Sequence, residues 1–388
     1  MDKLKTKLHK ADWWEITYLI IYGSIFTYEF LNTTMFQIQW PPKFGYIFLA
    51  SSALYTIAKF IWHNTYTKKE TILSAVILFA FIMPAILTDY SFLWWVGFLI
   101  VGAKDINFKK ILKVYIVIGI SIMIIAFSAS QYGIIEDLQY LTYQGEEVII
   151  RHAYGIIYPT DFAAHVFYLV LAIVIYVDEK MTVVCKVWII SLVAIFLYMV
   201  ANAKTSTICL IMFLVLCLFD KIFRNKIALI GLIMEFVPIL CAIGFVLLSY
   251  NYNPEQAWML KINQLLTGRL ELSKIGFDNY PIKMFGQFIE EVGNGSSTVD
   301  RWDYFFIDDV YVRILLEYGV VLFIVTLIIL MLAINGAKKR KDFLFIMVMI
   351  VISVHSIMEH HLLEIAYNPF VFAILAMQET KEIGGKHV

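Results

Sequence analysis

Apolar runs about as long as a bilayer crossing dominate the chain. A helix needs about 20 mostly apolar residues to span the hydrocarbon core. Runs of that kind predict helices near 13–32, 44–62, 71–88, 90–103, 111–129, 160–177, 184–201, 204–219, 227–250, 310–334, 342–359 and 365–379. One long segment breaks the pattern, Tyr250 to Asp309. Its Asn253-Pro254 is a helix-start signal. Trp258, Ile262, Leu265, Leu266, Leu270 and Leu272 then recur at near-helical spacing before Gly276. This predicts an amphipathic helix over 254–275 lying against the bundle, with Arg269 near its end. Gly293 to Ser297 predicts a mobile tip.

Composition narrows the class. The 388 residues are 61% hydrophobic and 16% charged, with a mean hydropathy of +0.76. A soluble domain is nearer half apolar and a quarter charged, so the expectation is an all-α polytopic membrane protein. It would form one integral domain over 1–388, with about 12 transmembrane helices. The Lys-rich start followed by an apolar run from Trp13 imitates a signal peptide. That run is too long and lacks a small-residue cleavage site, so it reads as a retained first helix. Cys185, Cys209, Cys217 and Cys241 lie in or beside apolar runs without metal-ligand spacing and read as buried thiols.

Charge orients the helices. Net charge is zero, but alternate gaps collect the cations: Lys68 and Lys69; Lys104, Lys109, Lys110 and Lys113; Lys180 and Lys186; Lys221, Arg224 and Lys226; Lys338 to Lys341. The two tails are also basic. The positive-inside rule then places both termini in the cytoplasm. Residues 130–159 become a smaller external loop, and 251–309 a large external loop between helices 9 and 10.

The few cations left outside sit among chemistry-bearing residues. Arg151 precedes Pro159-Thr160-Asp161, where a helix starts, and Asp161 and His165 share a face one turn apart. Lys204 opens a helix whose free N–H groups favour an anion. Arg269 follows Thr267-Gly268. Asp308-Asp309-Val310-Tyr311-Val312-Arg313 leads into Glu317, so that Asp309, Arg313 and Glu317 form an acid–base–acid ladder on one helical face. Glu359-His360-His361 and Glu364 lie between the last two helices. His360 and Glu364 are of ligand type, but their spacing fits no specific zinc pattern, and the expectation is a polar cap with no metal. Together these groups describe an outward pocket with cations for a diphosphate, beside aromatics suited to sugar faces or the membrane interface.

At these residues the chain resembles Wzy-type polysaccharide polymerases, especially those of Gram-positive capsule and exopolysaccharide systems, and is more distantly similar to O-antigen ligases. The resemblance covers roughly residues 150 to 370. Tyr154 to His165 looks like the family's Arg-preceded Gly-x-x-His-Pro segment. Asn202-Ala-Lys-Thr-Ser looks like its Ser-Arg segment, with Lys204 in place of Arg. Gly268-Arg269 with Phe285-Gly286 looks like the loop Arg and downstream Phe-Gly. Asp308-Asp309-Val-Tyr311 with Glu317-Tyr-Gly319 looks like the His-Asn-x-Tyr…Glu-x-Gly element, with Asp308 at the His position.

The resemblance implies a metal-independent, cofactor-free glycosyltransferase on the outer face of a bacterial cytoplasmic membrane. Donor and acceptor would be oligosaccharides on undecaprenyl diphosphate within the lipid bilayer. Asp308 would be the catalytic base. Arg151, Lys204, Arg269, Asp161, His165, Asp309, Tyr311 and Arg313 would bind substrate. A flippase and a chain-length regulator are the protein partners it suggests; nucleic acid is not one. The competing readings are an O-antigen-type ligase and a transporter or flippase for the same lipid-linked sugars. Clustering of polar residues at one face, without internal repeats, favours an enzyme.

Overall fold

The computed structural model describes residues 13–378 apart from positions 42, 64, 89, 145–146, 220–231 and 294–303. The cations at Lys221, Arg224 and Lys226, both basic tails and most of the loop tip fall outside the described residues.

The apolar runs become α1 (Trp13–Asn32), α2 (Phe44–Ala58), α3 (Lys68–Thr88), α4 (Phe92–Gly102) and α5 (Phe108–Gln131). They continue as α6 (Pro159–Tyr176), α7 (Val183–Ala201), α8 (Lys204–Leu218) and α9 (Val237–Tyr250). The loop carries α10 (Ala257–Leu265) and α11 (Arg269–Asn279). Two further apolar helices follow, α12 (Val310–Lys339) and α13 (Phe343–His355).

Among the described residues, seven helices are long and apolar enough to cross a membrane: α2, α3, α5, α6, α7, α9 with its lead-in from Leu232, and α12. Helices α4, α8 and α13 are apolar but shorter. Long apolar runs fold this way because a lipid-exposed backbone must satisfy its own hydrogen bonds. Caps set the boundaries. Asn107 accepts from Lys109 N (2.9 Å) at the start of α5, and Asp342 accepts from Phe345 N (3.2 Å) at the start of α13. Helix α6 has Pro at its first position, where the missing N–H costs nothing.

Helix α13 is buried at almost every position, and 72% of α6 is buried against 22% of α7. The core therefore runs along α6 and α13, and α7 lies at the rim.

Four sequence expectations are corrected. The run 365–379 is not a spanning helix. It holds only a five-residue 3-10 turn, Phe370–Ile374. It nevertheless runs along the bundle: Glu364 bonds His361 near the start of α6, Tyr115 in the first third of α5 donates to Tyr367 O, and Met377 bridges Asn107 at the foot of α5. Irregular backbone survives at that depth because protein buries it; Phe370 and Phe372 are wholly inaccessible.

The smaller loop is not irregular throughout, and the fold is not purely α. Residues 139–144 and 147–152 pair as an antiparallel hairpin, β1–β2. The single helix expected over 254–275 breaks at Thr267 (φ 54°) and Gly268 (φ 86°). Arg269 thus opens α11 instead of closing α10, and Gly276 does not stop it. Lastly, Cys185 is exposed and Cys241 half-buried; only Cys209 and Cys217 are buried thiols.

Gly286 and Gly319 anchor the loop to α12. Both have left-handed φ, 81° and 92°. A Cβ on Gly286 would lie 2.0 Å from Glu317 O, and one on Gly319 would lie 2.3 Å from Gly286 N. Backbone contact this close admits only glycine. Gly286→Ala is therefore expected to lower the amount of folded protein several-fold, read by fluorescence-detected size exclusion. A normal monodisperse yield would show that this crossing does not hold the loop.

Candidate functional site

Helix α7 ends at Asn202, which adopts the left-handed conformation (φ 45°). The chain reverses within two residues, and α8 starts at Lys204. This reversal, the first turn of α6 and the α10–α11 break enclose a cleft of about 100 Å³. Arg151, Thr160, Asn202, Lys204, Ser206, Thr267, Arg269 and Glu359 line it. Groups from five chain segments thus converge at one end of the bundle.

The hairpin delivers Arg151. His152 Nδ1 lies 2.6 Å from Asp137 Oδ2, and Asp137 Oδ1 accepts from Tyr154 N at 2.7 Å. Tyr154 and Gly155 both have positive φ. A Cβ on Gly155 would lie 2.5 Å from Ala126 O, so glycine lets the turn sit against the end of α5. Arg151 Nε then donates to Ala201 O at 3.0 Å, which fixes the guanidinium at the cleft wall. Burial draws its pKa down, and Glu359 partly restores it.

Arg269 is held more tightly. Its Nε donates to Met358 O at 2.7 Å and its Nη1 to Thr267 Oγ1. It faces two carboxylates, Glu359 at 3.5 Å and Asp308 at 3.7 Å. Burial lowers its pKa, but Asp308 and Glu359 outweigh that and the net shift is upward. Burial raises the carboxyl of Glu359, and Arg269 and His361 offset only part of the shift.

Beside Glu359, His361 is 1% exposed at its side chain. Its Nδ1 is 3.0 Å from Glu364, and its Nε2 is 3.7 Å from Asp161 and 4.0 Å from Glu359. Burial lowers its pKa, but Glu364, Asp161 and Glu359 outweigh that and the net shift is upward. It stacks on Tyr367 (3.7 Å), Tyr367 on His165 (4.0 Å), and His165 on Phe30 (4.0 Å). His360, His361 and Glu364 place donor atoms within 4.8 Å of one another, a set that could hold a metal ion. In the structure they face each other directly, His360 Nε2 lying 3.4 Å from Glu364.

The residues singled out from sequence divide accordingly. Arg151, Lys204 and Arg269 line the cleft. Asp308 reaches it through Arg269, and Asp161 through His361 and Glu359. His165 lies inside the bundle, its Nε2 2.8 Å from Thr33 Oγ1. Tyr311 is buried and donates to Ser353 O at 2.8 Å, joining α12 to α13.

Asp309 caps α12, accepting from Val312 N (2.8 Å) and Ser273 Oγ (2.5 Å). Arg313 does not pair with it. Its Nη2 meets both oxygens of Glu291 (2.8 and 2.9 Å), its Nη1 those of Glu317 (3.1 and 3.2 Å), and its face covers Phe306. Glu317 lies on a π-helical turn, Ile314–Tyr318, that begins directly after Arg313.

Glu359 and His361 were visible in sequence only as a polar cap, and the structure makes them walls of the cleft and its flank. Glu291 carried no sequence signal. No family model, curated protein or solved structure matches the chain.

Proposed function

We propose that the chain is a membrane glycosyltransferase of the polysaccharide-polymerase kind, using an oligosaccharide on undecaprenyl diphosphate as donor. One observation carries the reading: Arg151, Lys204 and Arg269 converge on one polar cleft at the end of an apolar helix bundle. Two guanidiniums and an ammonium suit a diphosphate, since guanidinium binds oxyanions at two points and the free N–H groups of α8 add to the same field.

In this reading the acceptor hydroxyl oxygen attacks the anomeric carbon of the donor from the face opposite the diphosphate. The bond from that carbon to the diphosphate oxygen breaks, and the electron pair leaves on the lipid diphosphate. Asp308 takes the hydroxyl proton. Arg269, Arg151 and Lys204 stabilise the departing charge without a metal. Glu359 orients Arg269 from the other side.

In this reading the cleft faces outward from the cytoplasmic membrane of a bacterium, with both termini inside; the scarcity of cations in the loops beside it supports that orientation. Glu255 is exposed on the loop. A Glu255→Cys variant is expected to react with an impermeant maleimide on intact cells. Reaction only after lysis would invert the arrangement.

The activity test feeds purified protein a lipid-linked repeat unit and resolves the products by size. A ladder of multiples supports a polymerase. A single transfer to an unrelated acceptor would support the ligase reading, and no transfer with a verified donor would overturn the enzyme assignment.

A further inference from the structure

Helices α7 and α8 lie side by side at the rim and leave a groove of about 860 Å³ between them. Ile195, Tyr198 and Met199 form one wall, and Ile208 and Ile211 the other. The lining is almost wholly apolar, and Met199 and Ile208 are 76% and 63% exposed. The groove does not end blindly. Lys204 lines both the groove and the cationic cleft, so the two cavities meet at this residue. An apolar channel running into a pocket with Arg151 and Arg269 matches an amphiphile with a hydrocarbon chain and a compact, multiply charged anionic head.

We propose that this groove holds the head-proximal part of the donor's hydrocarbon chain, with its diphosphate in the cleft beyond Lys204. The inference rests on the glycosyltransferase reading of that cleft and adds the route by which a lipid substrate reaches it. Length sets what the groove can hold. From Lys204 to Leu214, α8 rises about 15 Å at roughly 1.5 Å per residue. That is about half of a hydrocarbon core of roughly 30 Å. Only the first few units of a long polyprenyl chain would be gripped, and the remainder would stay in the bilayer. Chain length beyond those units should then matter little for binding, whereas removing them should matter greatly. The groove also sets direction, because a chain lying along α7 and α8 points its diphosphate at Arg151 and Arg269.

The test uses purified protein in phosphatidylcholine nanodiscs with two probes. One is a polyprenyl diphosphate bearing a diazirine near its head; the other is inorganic pyrophosphate, which has a head and no chain. The lipid probe is expected to label peptides covering Ile195–Met199 and Ile208–Ile211. A diazirine phosphatidylcholine should label them much less. Ile208→Trp and Ile195→Trp each add an indole on an exposed wall without touching the cleft. Each should weaken lipid-diphosphate binding about tenfold or more, as filling a fitted apolar site does, while pyrophosphate affinity stays within about twofold of normal.

Pyrophosphate binding that persists while both tryptophan variants bind the lipid normally would overturn the groove and spare the cleft. Equal labelling by phosphatidylcholine, or cross-links to a second copy of the chain in place of lipid, would also overturn it. Failure of wild-type protein to bind pyrophosphate, with Arg269→Ala making no difference to the lipid, would instead sink the reading of the cleft itself.

Discussion

Arg269→Ala abolishes polymer while most of the protein still reaches the membrane; that is the expected result with the largest effect. Arg269 is the cation most fully enclosed by partners in the cleft. Two backbone and side-chain acceptors hold it, and it separates Asp308 from Glu359. In the proposed reaction its removal takes away the charge opposite the leaving diphosphate. It also leaves two carboxylates facing each other across the vacated space. Loss of one preorganised donor to developing charge typically costs about a hundredfold to a thousandfold in rate, and the unshielded carboxylates would further repel the donor.

Arg269→Lys separates charge from geometry. An ammonium keeps the sign but cannot hold Met358 O, Thr267 and a phosphate together, so partial activity is expected. Product per folded molecule, with folded protein counted by fluorescence-detected size exclusion, is the measurement. Unchanged turnover in Arg269→Ala would remove diphosphate recognition from this cleft.

Asp308→Asn comes next. It keeps shape and polarity and loses proton acceptance, and removal of a general base costs about a hundredfold to ten-thousandfold. Binding of the lipid diphosphate should change much less, because Arg151, Lys204 and Arg269 remain. Glu359→Gln is the necessary comparison, since Glu359 lies on the other side of the same guanidinium. As a positioning residue it should raise KM more than it lowers kcat. Asp308→His tests the assignment from the opposite direction: an imidazole restores a base and should recover part of the rate. If Glu359→Gln shows the large fall in kcat and Asp308→Asn turns over normally, the base is Glu359.

How much could be read without the structure differs element by element. The apolar runs for α1 to α3, α5 to α8 and α12 were legible because each draws on some fifteen to thirty residues of like character. The cations of the cleft were legible one by one, because Arg151, Lys204 and Arg269 stand out where basic residues are scarce. Their convergence was an inference from loop charge, and it needed the hairpin, the Asn202 reversal and the Thr267–Gly268 break to bring them together.

The sequence by itself determined the membrane class and the short roster of ionisable groups, since both follow from composition and local periodicity. Only the tertiary structure decided how those groups are used. Arg313 is at the depth expected of a functional cation, yet Glu291, 22 residues upstream, and Glu317 saturate it. Glu359, seemingly part of a cap, became a wall of the cleft. The run 365–378 is irregular even though its composition suits a helix, because packing against α4, α5 and α12 buries it and supplies what a helix would otherwise supply for itself. Long-range pairing of this kind depends on which surfaces meet, and no local run of residues encodes that meeting.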